Sequence, residues 1–168
     1  MHELELKYIE YDEKMTPHER HQLEHNTAYI MLNHLLEKHF SISNPKILKT
    51  KNGKPYIENK NVHFSLSHTN GLVACVIANS CVGVDCEKIV TKSKEEIQKF
   101  AKRFFVENEI NLLEKGGFSQ NDFFKIWTGK EATIKKLGTT IADIKKIDVT
   151  QENLIFREEN GYIICINI

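Results

Sequence analysis

Asp85 and Glu87 stand one residue apart in "VGVDCEK" (82–88), just after an apolar run. That context reads as the end of a strand, where residues i and i+2 share a face about 7 Å apart while Cys86 turns the other way. Two like charges on one face call for a cation. Magnesium suits such a pair, because it takes one or two carboxylates, keeps some waters and completes its octahedron with phosphate oxygens. A strand end with two solvated acids is the plain alternative.

Glu131 is a second carboxylate of interest. On a helical wheel of "NDFFKIWTGKEATIKKLG" (121–138) it lies at the border of the apolar stripe, with Lys135 one turn further on. Border positions look into crevices, although a Glu–Lys pair at i, i+4 is also an ordinary surface ion pair. Lys130 falls inside the apolar arc, so it either snorkels past Trp127 or lines a polar pocket in the core. "SLSH" (65–68) places Ser67 and His68 at a strand end beside the turn "TNG"; it lacks the GxSxG of a hydrolase elbow, and imidazole, hydroxyl and turn amides suit a phosphate better. The plain reading of His68 is a half-buried ring bonded to a backbone carbonyl. His18, His21 and His25 share a helix face, where zinc, a weakly basic anion site and a solvated face are the alternatives.

The elements that must position these groups follow from periodicity. "ELELKYIEY" alternates like a half-buried strand, and Thr16-Pro17 opens a helix to about Phe40 carrying Leu23, Ala28, Ile30, Met31, Leu35 and Leu36. "NGKP" (52–55) is a turn, "VHFSLSH" and "GLVACVIA" form a hairpin around "TNG", and "SCVGVDCEKI" is a further strand. Ser93 caps "SKEEIQKFAKRFF", a short helix "VENEINLLEK" ends at Gly116-Gly117, and 121–138 is a core helix with Phe123, Ile126, Trp127, Ile134 and Leu137 facing inward. "KKIDVT", "NLIFRE" and "GYIICINI" read as two or three short strands. The fold class is α+β.

Bulk properties narrow the function. With 168 residues the chain can build one compact domain or two small halves sharing a core. Lysine plus arginine and aspartate plus glutamate both total 23, so no global charge favours nucleic acid or an anionic membrane. Cys75, Cys81, Cys86 and Cys165 form no CxxC pair and read as reduced thiols. With no apolar run long enough to span a bilayer and no signal-like start, the expectation is a cytoplasmic protein without nucleic-acid or membrane partners.

The motifs also come in a telling order: "NGKP", "FSLSH", "VGVDCEK", "FAKRFF" and "FFKIWTGKEATIKKLG", across residues 52–138. This resembles the 4'-phosphopantetheinyl transferase superfamily, with its GKP, F-x-x-SH, G-[VI]-D-x-E, KRFF-like and W-x-x-KE-x-x-x-K motifs. The resemblance implies transfer of the 4'-phosphopantetheine arm of coenzyme A to a serine of an apo carrier protein, releasing adenosine 3',5'-bisphosphate. It implies Mg2+ (or Mn2+) held by Asp85, Glu87 and Glu131, with Glu131, directly or through a metal-held water, as the candidate base for the carrier serine. Lys135, assisted by Lys130, would balance charge on the phosphates. Ser67 and His68 would contact phosphates of coenzyme A, His68 counting among the catalytic set, while Lys54 and the backbone of Gly53 and Pro55 would border the adenine and 3'-phosphate.

About 80 residues precede Asp85, whereas the short trimeric holo-acyl-carrier-protein synthases begin at that strand. The chain therefore resembles the larger, surfactin-synthetase-activating type: two related α+β halves, 1–80 and 81–168, fused around one interfacial site, able to work as a monomer. Two departures stand out. The first helix offers Arg20 among histidines where the larger type carries several basic residues, and the length missing relative to that type is expected at the C-terminus. Acidic acyl or peptidyl carriers of fatty-acid, polyketide or nonribosomal peptide synthesis are the implied partners. Lys99, Lys102 and Arg103 could meet them, and Phe100, Phe104 and Phe105 face either that partner or the core. The competing class is a non-catalytic coenzyme A or carrier-binding module of the same fold.

Overall fold

The computed structural model describes residues 2–168. The chain runs β1 (His2–Tyr8), α1 (Pro17–Phe40), β2 (Ile47–Lys49), β3 (Pro55–Ile57), β4 (His63–Thr69), β5 (Leu72–Ala78), β6 (Gly83–Lys88), α2 (Lys94–Phe104), α3 (Glu107–Lys115), α4 (Gln120–Leu137), β7 (Leu154–Glu159) and β8 (Tyr162–Asn167). Two three-stranded antiparallel sheets carry it, ordered β1-β5-β4 and β6-β8-β7, with β2 and β3 paired separately. Each sheet has the same plan: its first strand lies beside its last, and the last occupies the centre.

Local chemistry accounts for the element boundaries. Thr16 caps α1, its hydroxyl accepting from Glu19 N at 3.2 Å while the Glu19 carboxylate accepts from Thr16 N at 2.8 Å. Ser93 and Glu96 repeat this device on α2. The β4–β5 hairpin turns through Asn70 and Gly71, both at positive φ (40° and 94°), the backbone a two-residue turn between twisted strands demands.

Strand alternation divides the core into layers. On β5, Val73, Cys75 and Ile77 pack with Ala28, Met31, Leu32, Leu35 and Leu36 of α1. The intervening Leu72, Ala74, Val76 and Ala78 pack with Val84 and Cys86 of β6 and with Tyr162, Ile164 and Ile166 of β8. The sheets thus share an apolar interlayer, and α2, α3 and α4 cover the far face with Ile163. Each fully buried Val, Leu, Ile, Phe or Met side chain among these contributes roughly 1.5–3 kcal/mol.

Three expectations change, and one alternative is decided. "KKIDVT" is not a strand: Ile141–Lys146 and Val149–Gln151 are 3₁₀ turns, which bury Ile144 and Val149 against the helices. Ile30 and Leu137 lie outside the core, 66% and 58% exposed, because α1 and α4 bury narrower and differently rotated arcs than the wheels imply. Phe100 turns inward, its ring 5.1 Å from Phe123 and 4.9 Å from Trp127, and Phe105 is buried, so this aromatic trio serves the core. Lys99, Lys102 and Arg103 remain exposed. Among the described residues no helix is long and apolar enough to cross a membrane.

Candidate active site

Gly83 lets the two carrying elements meet. A Cβ there would fall 1.9 Å from the Ala132 carbonyl oxygen and 2.5 Å from Lys136 N, so only glycine allows α4 to lie this close across β6. The approach brings Lys135, one turn beyond Glu131, onto Asp85: Nζ donates to Oδ1 at 2.7 Å and to Ser67 Oγ at 2.9 Å. On the other flank β4 lends side chains to the β6 backbone, Ser65 Oγ accepting from Val84 N at 3.0 Å and Ser67 Oγ from Cys86 N at 3.3 Å. Ser67 in turn donates to Asp85 Oδ1 at 2.8 Å. β4, β6 and α4 therefore converge on one carboxylate.

The charge balance of this cluster is uneven. Asp85 is 5% exposed, and its second oxygen, Oδ2, is buried without a hydrogen-bond partner. Glu87, half-buried, accepts from the Trp127 indole N–H at 2.9 Å. Burial, then the Asp85 charge, pushes the Glu87 carboxyl up to about 7 against the opposing Trp127 bond. Burial and Asp85 likewise raise Glu131. For Lys135 burial works downward, but the charge and hydrogen bond of Asp85 outweigh it and hold the ammonium above its ordinary range. An unpartnered buried carboxylate oxygen beside two further acids fits a hard divalent cation, since carboxylates only accept and such an ion prefers oxygen. The three acids do not draw their oxygens within 4.8 Å of one another among the described residues; Lys135 engages Asp85 and Trp127 engages Glu87, and like charges repel.

A cleft of about 320 Å³ opens beside Lys135, walled by His25, Tyr29, Lys54, Pro55 and His68, with Gly53 at its rim. The "NGKP" turn is tied to the end of α4: Asn52 Nδ2 donates to Gly138 O at 3.0 Å and Lys54 Nζ to Lys136 O. Burial lowers the Lys54 ammonium. Glu87 lines a second cavity of about 260 Å³ with Lys88, Lys92, Phe100 and Trp127. The acidic cluster thus stands between two openings, Lys135 reaching the first and Glu87 the second.

Two expected ligand contacts are corrected. Lys130 does not approach the cleft; it is fully buried, with Nζ 2.7 Å from Glu109 Oε2 and 2.5 Å from the Ile147 carbonyl oxygen. It is the polar pocket inside the core, and an ammonium so enclosed cannot reach a phosphate. Ser67 is 5% exposed, and its hydroxyl is already engaged by Asp85, Lys135 and Cys86 N, which leaves it organising Asp85.

His68 stays half-buried on the cleft wall, Nδ1 2.9 Å from Glu24 Oε2. The expected backbone-bonded histidine is thus bonded to a carboxylate. His21 stands edge-on to it, ring centres 4.9 Å apart, while His25 packs on Tyr29. The face shared by His18, His21 and His25 therefore makes no three-histidine site; the grouped ligand atoms are those of His21, Glu24 and His68. Sequence reasoning passed over Glu24, Gly83 and the Trp127 indole. Glu24 had a signal: it shares the register of Ala28, Met31 and Leu35, so it is a charge on a buried stripe.

Comparison with known proteins adds the family. Residues 81–164, half of the chain, match the model of the 4'-phosphopantetheinyl transferase superfamily. The chain is 44% identical over 102 residues to the 4'-phosphopantetheinyl transferase gsp of Aneurinibacillus migulanus, covering 58% of this chain and 41% of that protein. It is 36% identical over 89 residues to a 4'-phosphopantetheinyl transferase of Bacillus subtilis, covering 51% and 38%. A holo-[acyl-carrier-protein] synthase of Clostridium tetani is 34% identical over 70 residues, covering 40% and 56%. The chain belongs to the 4'-phosphopantetheinyl transferase superfamily. It spans about half the length of the curated relatives it matches, or less.

Proposed function

We propose that this protein transfers the 4'-phosphopantetheine group of coenzyme A to a serine of an apo acyl or peptidyl carrier protein. The observation that carries the reading is the unpartnered Oδ2 of Asp85 beside Glu87, Glu131 and Lys135, the last of which lines a cleft that also presents Lys54 and His68. Asp85, Glu87 and Glu131 would hold Mg2+, with Mn2+ as the alternative; bound there, the ion supplies neutralising charge to pyrophosphate oxygens.

The chain's own residues do the rest. Lys135 and His68 bind phosphate oxygens from the cleft side, and Gly53, Lys54 and Pro55 border the adenine and 3'-phosphate. The carrier serine oxygen attacks the phosphorus next to the pantetheine arm, its proton passing to Glu131. A new P–O bond forms, the bond to the bridging oxygen breaks, and adenosine 3',5'-bisphosphate leaves. Most of this is positioning and charge balance, as phosphoryl transfer requires. Lys88 and Lys92 beside the second cavity suit an acidic carrier arriving on the Glu87 side.

The shared strand plan of the two sheets supports a division into related halves, 1–80 and 81–168. β4 comes from the first half and β6 and α4 from the second, so one chain supplies every group and we read it as a monomer. Its four free cysteines suit the reducing cytoplasm. Incubation with coenzyme A, Mg2+ and a panel of apo carriers should add one phosphopantetheine mass to a carrier. No addition across acyl and peptidyl carriers would sink the reading, and coenzyme A binding without transfer would favour a non-catalytic module.

A further inference from the structure

Glu24 is a buried carboxylate, 5% exposed, on a helix whose other buried residues are apolar apart from Thr27. Its Oε1 accepts from Gly71 N at 2.7 Å and from the Tyr11 hydroxyl, and its Oε2 takes His68 Nδ1 at 2.9 Å. A carboxylate offers no proton, so Nδ1 must be the protonated nitrogen. Nε2 is then the nitrogen His68 has left for a ligand in the cleft. With Nδ1–H spent on Glu24, Nε2 meets a phosphate oxygen as a donor only when the ring carries both protons.

We infer that Glu24 is a positioning residue: it fixes the His68 ring with Nδ1–H turned to the interior, and it is the buried counter-charge that lets Nε2 take up a proton as a phosphate arrives. The inference rests on the coenzyme A reading of the cleft. The charged and titratable groups around the ring are Glu24 and His21 from α1 and Lys135 from α4, with Tyr11 on the far oxygen of Glu24 and with His25 of α1 and Lys54 of the "NGKP" turn lining the same cleft. Burial holds the free ring below its ordinary range against the pull of Glu24, which favours the singly protonated ring until an anion arrives. The Gly71 bond anchors Glu24 to the turn that ends β4, which sets the ring relative to Lys135.

The test uses dephospho-coenzyme A, whose pyrophosphate carries no group titrating near neutrality, so proton uptake belongs to the protein. Imidazole 15N spectra of the wild type should show the Nδ1–H form free and a doubly protonated ring with ligand; an Nε2–H form in the free protein overturns the inference. Calorimetry in buffers of different ionisation enthalpy should show uptake that is lost in Glu24→Gln and in His68→Ala. Glu24→Gln should weaken binding at least tenfold in the wild type but less than twofold in a His68→Ala background. Equal losses in both backgrounds would mean that Glu24 only supports the turn. Tyr11→Phe, which removes the other side-chain partner, should stay within twofold, and a tenfold loss there overturns the inference. If the wild type fails to bind the ligand, the coenzyme A reading falls with the counter-charge role, while the free spectra still decide whether Glu24 sets the tautomer.

Discussion

Lys135 on α4 and Asp85 on β6 are joined by a 2.7 Å ion pair that Ser67 completes from β4, so the last long helix is locked to a strand through the most buried acid of the site. Lys135→Met would leave Asp85 buried with only Ser67 for company. We expect a loss of about 1–3 kcal/mol of stability, the cost of an unsatisfied buried polar group, and at least a hundredfold loss of transfer. Thermal melts with and without Mg2+ check the first part. The variant should gain more from the ion than the wild type does, because Asp85 then lacks its competing cation; equal gains would remove Asp85 from the metal site.

Asp85→Ala and Glu131→Ala should each abolish transfer in a folded protein. The Mg2+-dependent rise in melting temperature should vanish with it, and chelation of the wild type should reproduce both effects. Near-normal transfer by both variants would show that the metal is held elsewhere.

Gly83→Ala tests the contact between helix and strand. The added Cβ meets backbone atoms of Ala132 and Lys136, which cannot rotate away as a side-chain tip would, so α4 must shift. Overpacking of this kind costs typically 1–3 kcal/mol and more against rigid backbone. We expect denaturant unfolding to show a loss at or above about 3 kcal/mol, with transfer lost even below the unfolding transition. Retention of wild-type stability would mean that the helix has room to yield.

The Lys130–Glu109 pair makes the opposite prediction from the catalytic groups. Glu109 also accepts from Val149 N and Val106 N, at 2.9 Å each, so it ties α3 to the 3₁₀ segment. Lys130→Met strands that buried carboxylate and should cost roughly 3–5 kcal/mol, part of it recovered by adding Glu109→Gln, which removes the charge but sets an amide N–H against one backbone N–H. The KM for coenzyme A should stay within twofold in the double variant. A large KM change with normal stability would return Lys130 to the ligand site.

Much of the site was legible in the residues themselves. "VGVDCEK", "SLSH" and the "WTGKEATIK" helix announced an acidic pair, a phosphate-like strand end and a carboxylate at a stripe border. Those patterns report spacing within one element, and spacing fixes which side chains share a face. Lys130 and Glu24 show where this stops: each is a charge in apolar register, and periodicity alone leaves open whether such a charge lines a ligand cleft or a sealed pocket. Glu109, 21 residues before Lys130, and His68, 44 residues after Glu24, decide the matter.

The sequence by itself determined the α+β class, the four helices with the Ser93 cap, most of the longer strands, the hairpin turn at Asn70-Gly71, and the family resemblance, because propensity, capping and hydrophobic period are local. Only the tertiary structure decided that Ser67 faces Asp85 and Lys135 rather than a phosphate, that Lys130 is sealed with Glu109, that the Phe100 cluster packs inward, and that Gly83 admits α4. Each of these depends on which element lies against which, and burial and electrostatic pairing between distant segments set that when the sheets and helices close on one another.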